Sequence, residues 1–201
     1  MNRVDGKFAV VTGASQGLGA AVVRQLALAG AAGIVACDRH ADQGHAVADA
    51  VRSETGVRTE FVTADLASVA DCRKVVAEAD RCFGRVHVLV NAAGITDRGN
   101  LLNTSEALFD RIFAVNVRAP FFLMQEATKR MVRDGNPGSI VNIGSTSGRT
   151  GQPFLAPYAA SKGALATLTR NSGYALMRNH IRVNHRTPKW VWRDGLASPR
   201  P

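Results

Sequence analysis

A chain of 201 residues has the usual size of a single domain and is long enough to bury an apolar core. Hydrophobic residues make up 46% of it and charged residues 20%, a composition that excludes disordered, collagen-like and coiled-coil proteins. The net charge of +9 raises nucleic acid as a partner, but the basic residues are spread along the chain rather than gathered with aromatic residues, so we expect no nucleic-acid binding.

Short apolar segments alternate with longer helical patterns, which is typical of βαβ units around a parallel sheet. The predicted strands are residues 7–12, 34–38, 58–64, 86–91, 139–143 and 181–184. The predicted helices are residues 18–29, 42–54, a helix opening at Ser68 with Asp71 as its capping partner, 105–133 and 158–179. Because the strands are almost continuously apolar, helices should cover both faces. The sequence therefore predicts an α/β fold, a Rossmann-type doubly wound parallel sheet in three layers.

A glycine-rich turn, residues 12–19, connects the first predicted strand to its helix. Glycines allow the backbone to approach a pyrophosphate closely, and the helix N-terminus favours an anion there. A glycine cluster alone suits a structural turn equally well, but here a strand precedes it and a helix follows it. The turn residues expected to contact a dinucleotide are Gly13, Ser15, Gln16, Gly17, Leu18 and Gly19.

Asp38 ends the second predicted strand, where a carboxylate can accept hydrogen bonds from the ribose hydroxyls of adenosine. The same negative charge would repel a 2′-phosphate, which favours NAD over NADP. Arg39 beside it is the open alternative: its guanidinium could pair with that phosphate, or it could be an ordinary solvated residue of a first helical turn.

Tyr158 and Lys162 are four residues apart, so a helix would place both on one face. An ammonium beside a tyrosine stabilises the phenolate, which could then exchange a proton with an alcohol or a ketone. Such a pair is often only a pair of surface neighbours. Here, however, Ser145 follows the fifth predicted strand, and Asn91 ends the fourth, at the same edge of the sheet.

Asn116 lies inside the long predicted helix, four residues before Pro120. Proline has no N–H for the carbonyl of Asn116, so the sequence predicts a kink with a free acceptor. A packing kink is one interpretation. The other is a carbonyl that holds a water molecule linking Lys162 to solvent.

These motifs together resemble the short-chain dehydrogenase/reductase family over residues 1–184. The resemblance rests on residues 12–19, Asp38, Asp65, residues 91–94, Asn116, Ser145, Tyr158 and Lys162. It implies that Ser145 orients the substrate oxygen, Tyr158 is the acid–base, Lys162 binds the nicotinamide ribose, and Asn116 anchors the relay water. Further implied cofactor contacts are Asp65 and Leu66 near the adenine, with Asn91, Ala92 and Gly94 in the following loop. The resemblance also implies a homodimer or homotetramer packed through helices 105–133 and 158–179.

The family pattern stops after residue 184. Pro188 stands where a Pro-Gly turn is expected, but Lys189 replaces the glycine, and no substrate lid or final strand follows. We therefore expect a catalytic domain of residues 1–184 and a divergent basic tail of residues 185–201, the product of truncation or a frame shift.

Two functions remain in view. The first is an NAD(P)-dependent oxidoreductase that moves a hydride between NAD(H) and a secondary alcohol or ketone. The sequence does not decide which substrate class it takes: sugars, polyols, hydroxysteroids and oxoacyl thioesters all remain open. The second is a non-catalytic or defective dinucleotide-binding protein. We expect no metal site and no membrane association, and the three cysteines suggest reduced thiols in the cytoplasm: Cys37, Cys72 and Cys82.

Overall fold

Six parallel strands form one sheet in the computed structural model, which describes residues 4–187. The strands are Phe8–Thr12 (β1), Gly33–Asp38 (β2), Thr59–Thr63 (β3), Val88–Asn91 (β4), Gly138–Ile143 (β5) and Ile181–Arg186 (β6). Their spatial order is β3-β2-β1-β4-β5-β6, so the winding direction reverses between β1 and β4. Open α/β sheets bind ligands outside the carboxyl ends of the strands at such a switch point. The predicted doubly wound sheet is confirmed.

Helices cover both faces of the sheet. They are Gly17–Leu28 (α1), Ala41–Thr55 (α2), Val69–Phe83 (α3), Glu106–Phe113 (α4), Ala119–Arg133 (α5) and Ala156–Ala175 (α6). One apolar core joins α1 and α2 to the sheet and includes Ala9, Val11, Val23, Ile34 and Val51. The other joins α3 and α5 to the opposite face and includes Val10, Val75, Leu123, Met131 and Ile140. Alternate residues of β1 thus point into different cores, as the period of two along a strand requires.

The helix predicted over residues 105–133 is divided into three segments. Between α4 and α5, residues Ala114–Arg118 form a π-helical turn, in which Ala119 N donates to Ala114 O. The sequence predicts a kink with a free carbonyl at Asn116; the structure has a π-helical turn at this position, and such turns are a known cause of helix kinks. Such π turns often occur at functional sites.

Other element bounds differ by a few residues from the sequence-based ones. Ser105 precedes α4 as its N-cap, where its hydroxyl accepts a hydrogen bond from Leu108 N at 3.3 Å. α6 begins at Ala156 and is followed by a separate 3₁₀ turn, Met177–Asn179. β6 continues to Arg186, past the predicted strand end. The expectations for Pro188, Lys189 and the rest of the basic tail lie outside the described residues.

Candidate active site

The turn between β1 and α1 is held against the loop that follows β4. Ala93 N donates to Thr12 Oγ1 at 3.1 Å. Gly13 has a φ of +69°, and a side chain there would place its Cβ 2.7 Å from Ala93 Cα. Only glycine combines this conformation with this close approach.

The N-terminus of α1 has free hydrogen-bond donors. Its N-cap residue, Gln16, makes no side-chain hydrogen bond, and the first turn contains no acidic residue. In α3, by contrast, the Ser68 hydroxyl accepts from Asp71 N at 3.2 Å. Free N–H groups and the positive end of the helix dipole suit an anion such as a pyrophosphate.

A cleft of about 1890 Å³ opens at the carboxyl edge of the sheet. Most of the predicted cofactor residues line it: Gly13, Gln16, Gly17, Leu18, Gly19, Asp38, Arg39, Asp65, Leu66, Ala92, Gly94 and Tyr158. Three lie behind the lining. Ser15 N donates to Asp38 Oδ2 at 3.4 Å, while its hydroxyl is buried without a hydrogen-bond partner in the described chain. Asn91 and Lys162 are also buried.

The Asp38 carboxylate is presented to this cleft in a fixed orientation. Its Oδ1 accepts from Arg39 N at 2.7 Å and from His40 N at 3.2 Å, and its side chain is only 14% exposed. Within residues 4–187 the guanidinium groups of Arg39 and Arg111 have no acidic partner. Both arginines line the cleft and also a smaller adjoining cavity of about 380 Å³.

Asp65 lies at the adenine side of the predicted site, after β3. Its Oδ1 accepts from Ala67 N at 2.9 Å, and its own N–H donates to Asp71 Oδ2 at 2.8 Å. The Asp71 carboxylate therefore supports the loop at Asp65, whereas a complete capping box would direct it to Ser68 N. The predicted capping pair at α3 is correct only for the serine.

Lys162 is buried beside Tyr158 on α6. It is 5% exposed, its Nζ donates to Ile143 O at 2.9 Å, and Nζ lies 5.8 Å from the centroid of the Tyr158 ring. Burial lowers the pKa of Lys162 to about 8. An ammonium kept out of water at this distance acts strongly on its neighbours, because little solvent screens its charge.

Ser145 lies two residues after the end of β5, beyond Gly144. Its hydroxyl accepts from Ser147 N at 3.2 Å and donates to Ser147 Oγ at 3.1 Å, which caps a 3₁₀ turn, Thr146–Gly148. The end of β5 therefore carries both the carbonyl that anchors Lys162 and the serine predicted to orient a substrate.

Asn116 connects the π turn to the loop after β4 through its side chain. Its Oδ1 accepts from Ile95 N and its Nδ2 donates to Ile95 O, both at 2.9 Å, and Nδ2 also donates to Ser161 Oγ at 3.0 Å. A Cβ on Gly94 would lie 3.3 Å from Lys162 Nζ and 3.4 Å from Asn116 Oδ1. Lys162 and Asn116 therefore meet at Gly94.

Two buried polar residues that support the site are absent from the sequence-based set. Asn142 Oδ1 accepts from Asn91 Nδ2 at 2.8 Å and its own amide donates to Thr169, which ties β4, β5 and α6 together. The Ser161 hydroxyl accepts a hydrogen bond from Asn116 Nδ2 and donates one to Tyr158 O at 2.7 Å. The sequence does carry one signal for these two residues: each is a polar residue at a strand or helix position that is otherwise apolar.

His87 is buried directly before β4. It is 6% exposed, and its Nδ1 accepts from Phe8 N at 3.1 Å.

In the described part of the chain no cluster of three or more His, Cys, Asp or Glu could hold a metal ion. No helix of residues 4–187 is long and apolar enough to cross a bilayer.

Comparisons with known proteins agree with this geometry. A family model described as short chain dehydrogenase matches residues 7–195. The chain is 32% identical to the sorbitol dehydrogenase of Cereibacter sphaeroides, over 92% of this chain and 71% of that one. A metagenomic short-chain oxidoreductase in complex with NADP superposes with a TM-score of 0.86 at 32% identity, over 93% and 84% of the two chains. A short-chain dehydrogenase/reductase from Burkholderia phymatum in complex with NAD superposes with a TM-score of 0.88 at 28% identity, over 94% and 67%.

Proposed function

The chain belongs to the short-chain dehydrogenase/reductase family, and on that premise we propose that it transfers a hydride between NAD(H) and a secondary alcohol or ketone. The observation that carries this proposal is the buried Lys162 ammonium beside Tyr158, at the sheet edge where Tyr158 lines the dinucleotide cleft. Burying an ammonium costs free energy, so a buried lysine is expected to serve a function. Beside a phenol, its positive charge can stabilise the phenolate.

The residues fit a dinucleotide in three places. The N-terminus of α1, which has no side-chain cap, suits the pyrophosphate, and Asp38 suits the ribose hydroxyls. The Ser15 hydroxyl, which has no hydrogen-bond partner among residues 4–187, can receive a further contact. When bound, the nicotinamide group supplies or accepts the hydride. We assign Lys162 to its ribose, as the family resemblance implies.

The chain's own residues handle the proton. Tyr158 Oη takes the hydroxyl proton of the alcohol during oxidation and returns one to the ketone oxygen during reduction. Ser145 donates a hydrogen bond to the same substrate oxygen. The Lys162 ammonium stabilises the phenolate form of Tyr158. Asn116 holds the loop at Ile95 so that Gly94 remains against Lys162, and its backbone is our candidate anchor for the relay water.

The test is NADH production by the purified chain with a panel of polyols, sugars, hydroxysteroids and 3-hydroxyacyl thioesters. We expect Tyr158→Phe to lower kcat for any accepted substrate by about 10²- to 10⁴-fold, because the acid–base step is lost. Tyr174 is the only other tyrosine and is 78% exposed, so Tyr174→Phe is the matched control and should keep the wild-type rate.

Equal rates for wild type and Tyr158→Phe would refute the assigned role of Tyr158. Saturable NADH binding with no turnover of any substrate would favour the second function, a non-catalytic dinucleotide-binding protein.

We further propose that the active form is a homodimer or homotetramer in the cytoplasm. Phe109 on α4 and Phe121 on α5 are each 44% exposed, on the helices through which the family resemblance implies assembly. The described cysteines are all free, as in a reducing compartment. Light scattering after size exclusion tests the assembly: Phe121→Glu should shift an oligomer towards monomer, and a wild-type monomer would contradict it.

A further inference from the structure

His185 packs against the strand end that carries Ser145. β5 and β6 pair in parallel, with His185 opposite Asn142, and Gly144 N donates to Arg186 O at 2.7 Å. β6 therefore runs beside β5 as far as the residue before Ser145. A Cβ on Gly144 would overlap Nε2 and Cε1 of the His185 ring and would lie 2.9 Å from its Cδ2. The imidazole occupies the space that a side chain at position 144 would need.

Hydrogen bonding accounts for only one of the two ring nitrogens of this histidine. Among the described residues its Nε2 is buried without a partner, and its Nδ1 lies 3.3 Å from Thr187 Oγ1. Within residues 4–187, the charged groups that act on the ring are three cations: Arg149 after β5, and Lys162 and Arg170 on α6. Burial first, and then these three charges, lower the pKa of His185. The lowered pKa favours the neutral form of the ring, so its contribution is packing rather than charge.

Three consecutive residues at this strand end serve the site. Ile143 O accepts from Lys162, Gly144 contacts the ring, and Ser145 follows. A glycine has no side chain of its own to restrain its backbone, so a neighbour must supply that restraint. Movement at Gly144 would displace the Lys162 acceptor and the serine together.

We propose that His185 is a positioning residue, whose ring fixes the backbone of Gly144 and thereby places Ser145 and the carbonyl that anchors Lys162. The functional part of this inference rests on the roles proposed above for Ser145 and Lys162. The contact between ring and glycine is independent of them, and it can be tested without turnover.

Thermal unfolding of the Gly144→Ala, His185→Ala and double variants tests the contact. Gly144→Ala should lower Tm strongly in the wild-type background, because its methyl group overlaps the ring. In the His185→Ala background the same change should lower Tm by less than half as much, because the space is free. Equal losses of Tm in the two backgrounds would overturn the proposed contact.

Hydrogen exchange of peptides covering residues 140–150 tests the restraint. We expect faster exchange there in His185→Ala, unchanged exchange over residues 12–19, and recovered protection in His185→Phe, which keeps a ring without its nitrogens. His45→Ala, on the exposed side of α2, is the matched control and should exchange like wild type. Failure of phenylalanine to restore protection would overturn the packing role.

Kinetics separate positioning from general stability. His185→Ala should lower kcat at least 10-fold and raise the Kd for NADH by a smaller factor, through Lys162, and His185→Phe should restore most of both. An active wild type whose kcat is unchanged in His185→Ala would refute the positioning role. A wild type without turnover would refute the proposed enzymatic function instead, and exchange and unfolding would still decide whether His185 restrains this strand end.

Discussion

Lys162 reduces the stability of the free protein. Its ammonium is almost completely removed from water, and within residues 4–187 a single hydrogen bond, to Ile143 O, replaces its hydration. Burial lowers its pKa from 10.5 to about 8, so the folded state binds this proton less well than the unfolded chain. The protonated group therefore opposes folding at pH 7, and this opposition disappears as the pH rises from about 8 towards 10.5.

We predict that Lys162→Met is inactive but more stable than wild type at pH 7. The shift from 10.5 to about 8 corresponds to about 3 to 4 kcal/mol at about 1.4 kcal/mol per pKa unit, and the lost hydrogen bond offsets about 1 kcal/mol, so the net gain should be about 2 to 3 kcal/mol. Urea unfolding measures it. The gain should shrink between pH 8 and pH 10, and a variant less stable than wild type at pH 7 would contradict the burial cost.

Asp38 should control the choice of cofactor. Its carboxylate repels a 2′-phosphate, while Arg39 and Arg111, which have no acidic partner within residues 4–187, line the same cleft. We predict that Asp38→Asn improves the affinity for NADPH relative to NADH by about 10-fold or more, because a repulsion is removed and two cations remain. Fluorescence titration measures the affinities for NADH and NADPH, and Asp42→Asn, at an exposed position, is the control. Tighter binding of NADPH than NADH by the wild type would contradict our preference for NAD.

Some residues of the site could be found from the sequence, and others could not. Tyr158, Lys162 and Ser145 have characteristic spacing, and Asp38 ends a strand whose apolar sequence is easily recognised. His185 has no such signal, because it lies just beyond the predicted strand of residues 181–184 and its ring meets Gly144 only through the pairing of β5 and β6. Sequence spacing cannot show a contact that the sheet creates between distant residues.

The helices were predictable as units, but their ends and irregularities depend on tertiary contacts. Pro120 signals a disturbance, yet the π turn over Ala114–Arg118 places Asn116 where its side chain pairs with the backbone of Ile95. The long periodic segments were recognised because apolar periodicity is a local property. The widening of a helix to match a loop 21 residues earlier is not local.

The uncapped start of α1 offers a test at the level of an element. We predict that Gln16→Asp raises the stability of the free protein by about 0.5 to 1 kcal/mol, because a carboxylate caps the free N–H groups and interacts favourably with the helix dipole. The same carboxylate should raise the Kd for NADH at least 10-fold, since it competes with and repels the pyrophosphate.

Ser68→Ala is the matched control on α3. It removes an existing cap, so it should lower the stability by about 1 kcal/mol and leave the Kd for NADH unchanged. If Gln16→Asp binds NADH as wild type does, the N-terminus of α1 is not the pyrophosphate site.

The molecule as a whole should lose stability in mild acid. Burial lowers the pKa of His87 and of His185 from 6.5, so the unfolded chain takes up these protons more readily than the folded one. The stability that the folded protein gains from keeping these two histidines neutral is fully present above pH 6.5 and is lost as the pH falls below that value. We predict a lower free energy of unfolding at pH 5 than at pH 7, and a smaller difference in His185→Phe. The same difference in both proteins would exclude His185 as a source.

The hydrogen bonds that build the site join parts of the chain that are far apart in sequence. The partners are separated by 81 residues between Thr12 and Ala93, by 51 between Asn91 and Asn142, and by 45 between Asn116 and Ser161. A chain emerging from the ribosome therefore cannot form the complete pocket until α6 has been synthesised. A dinucleotide that binds only the finished pocket then stabilises completed molecules selectively, by mass action. In a cell short of that dinucleotide, we expect proteases to shorten the lifetime of this protein while its rate of synthesis stays the same.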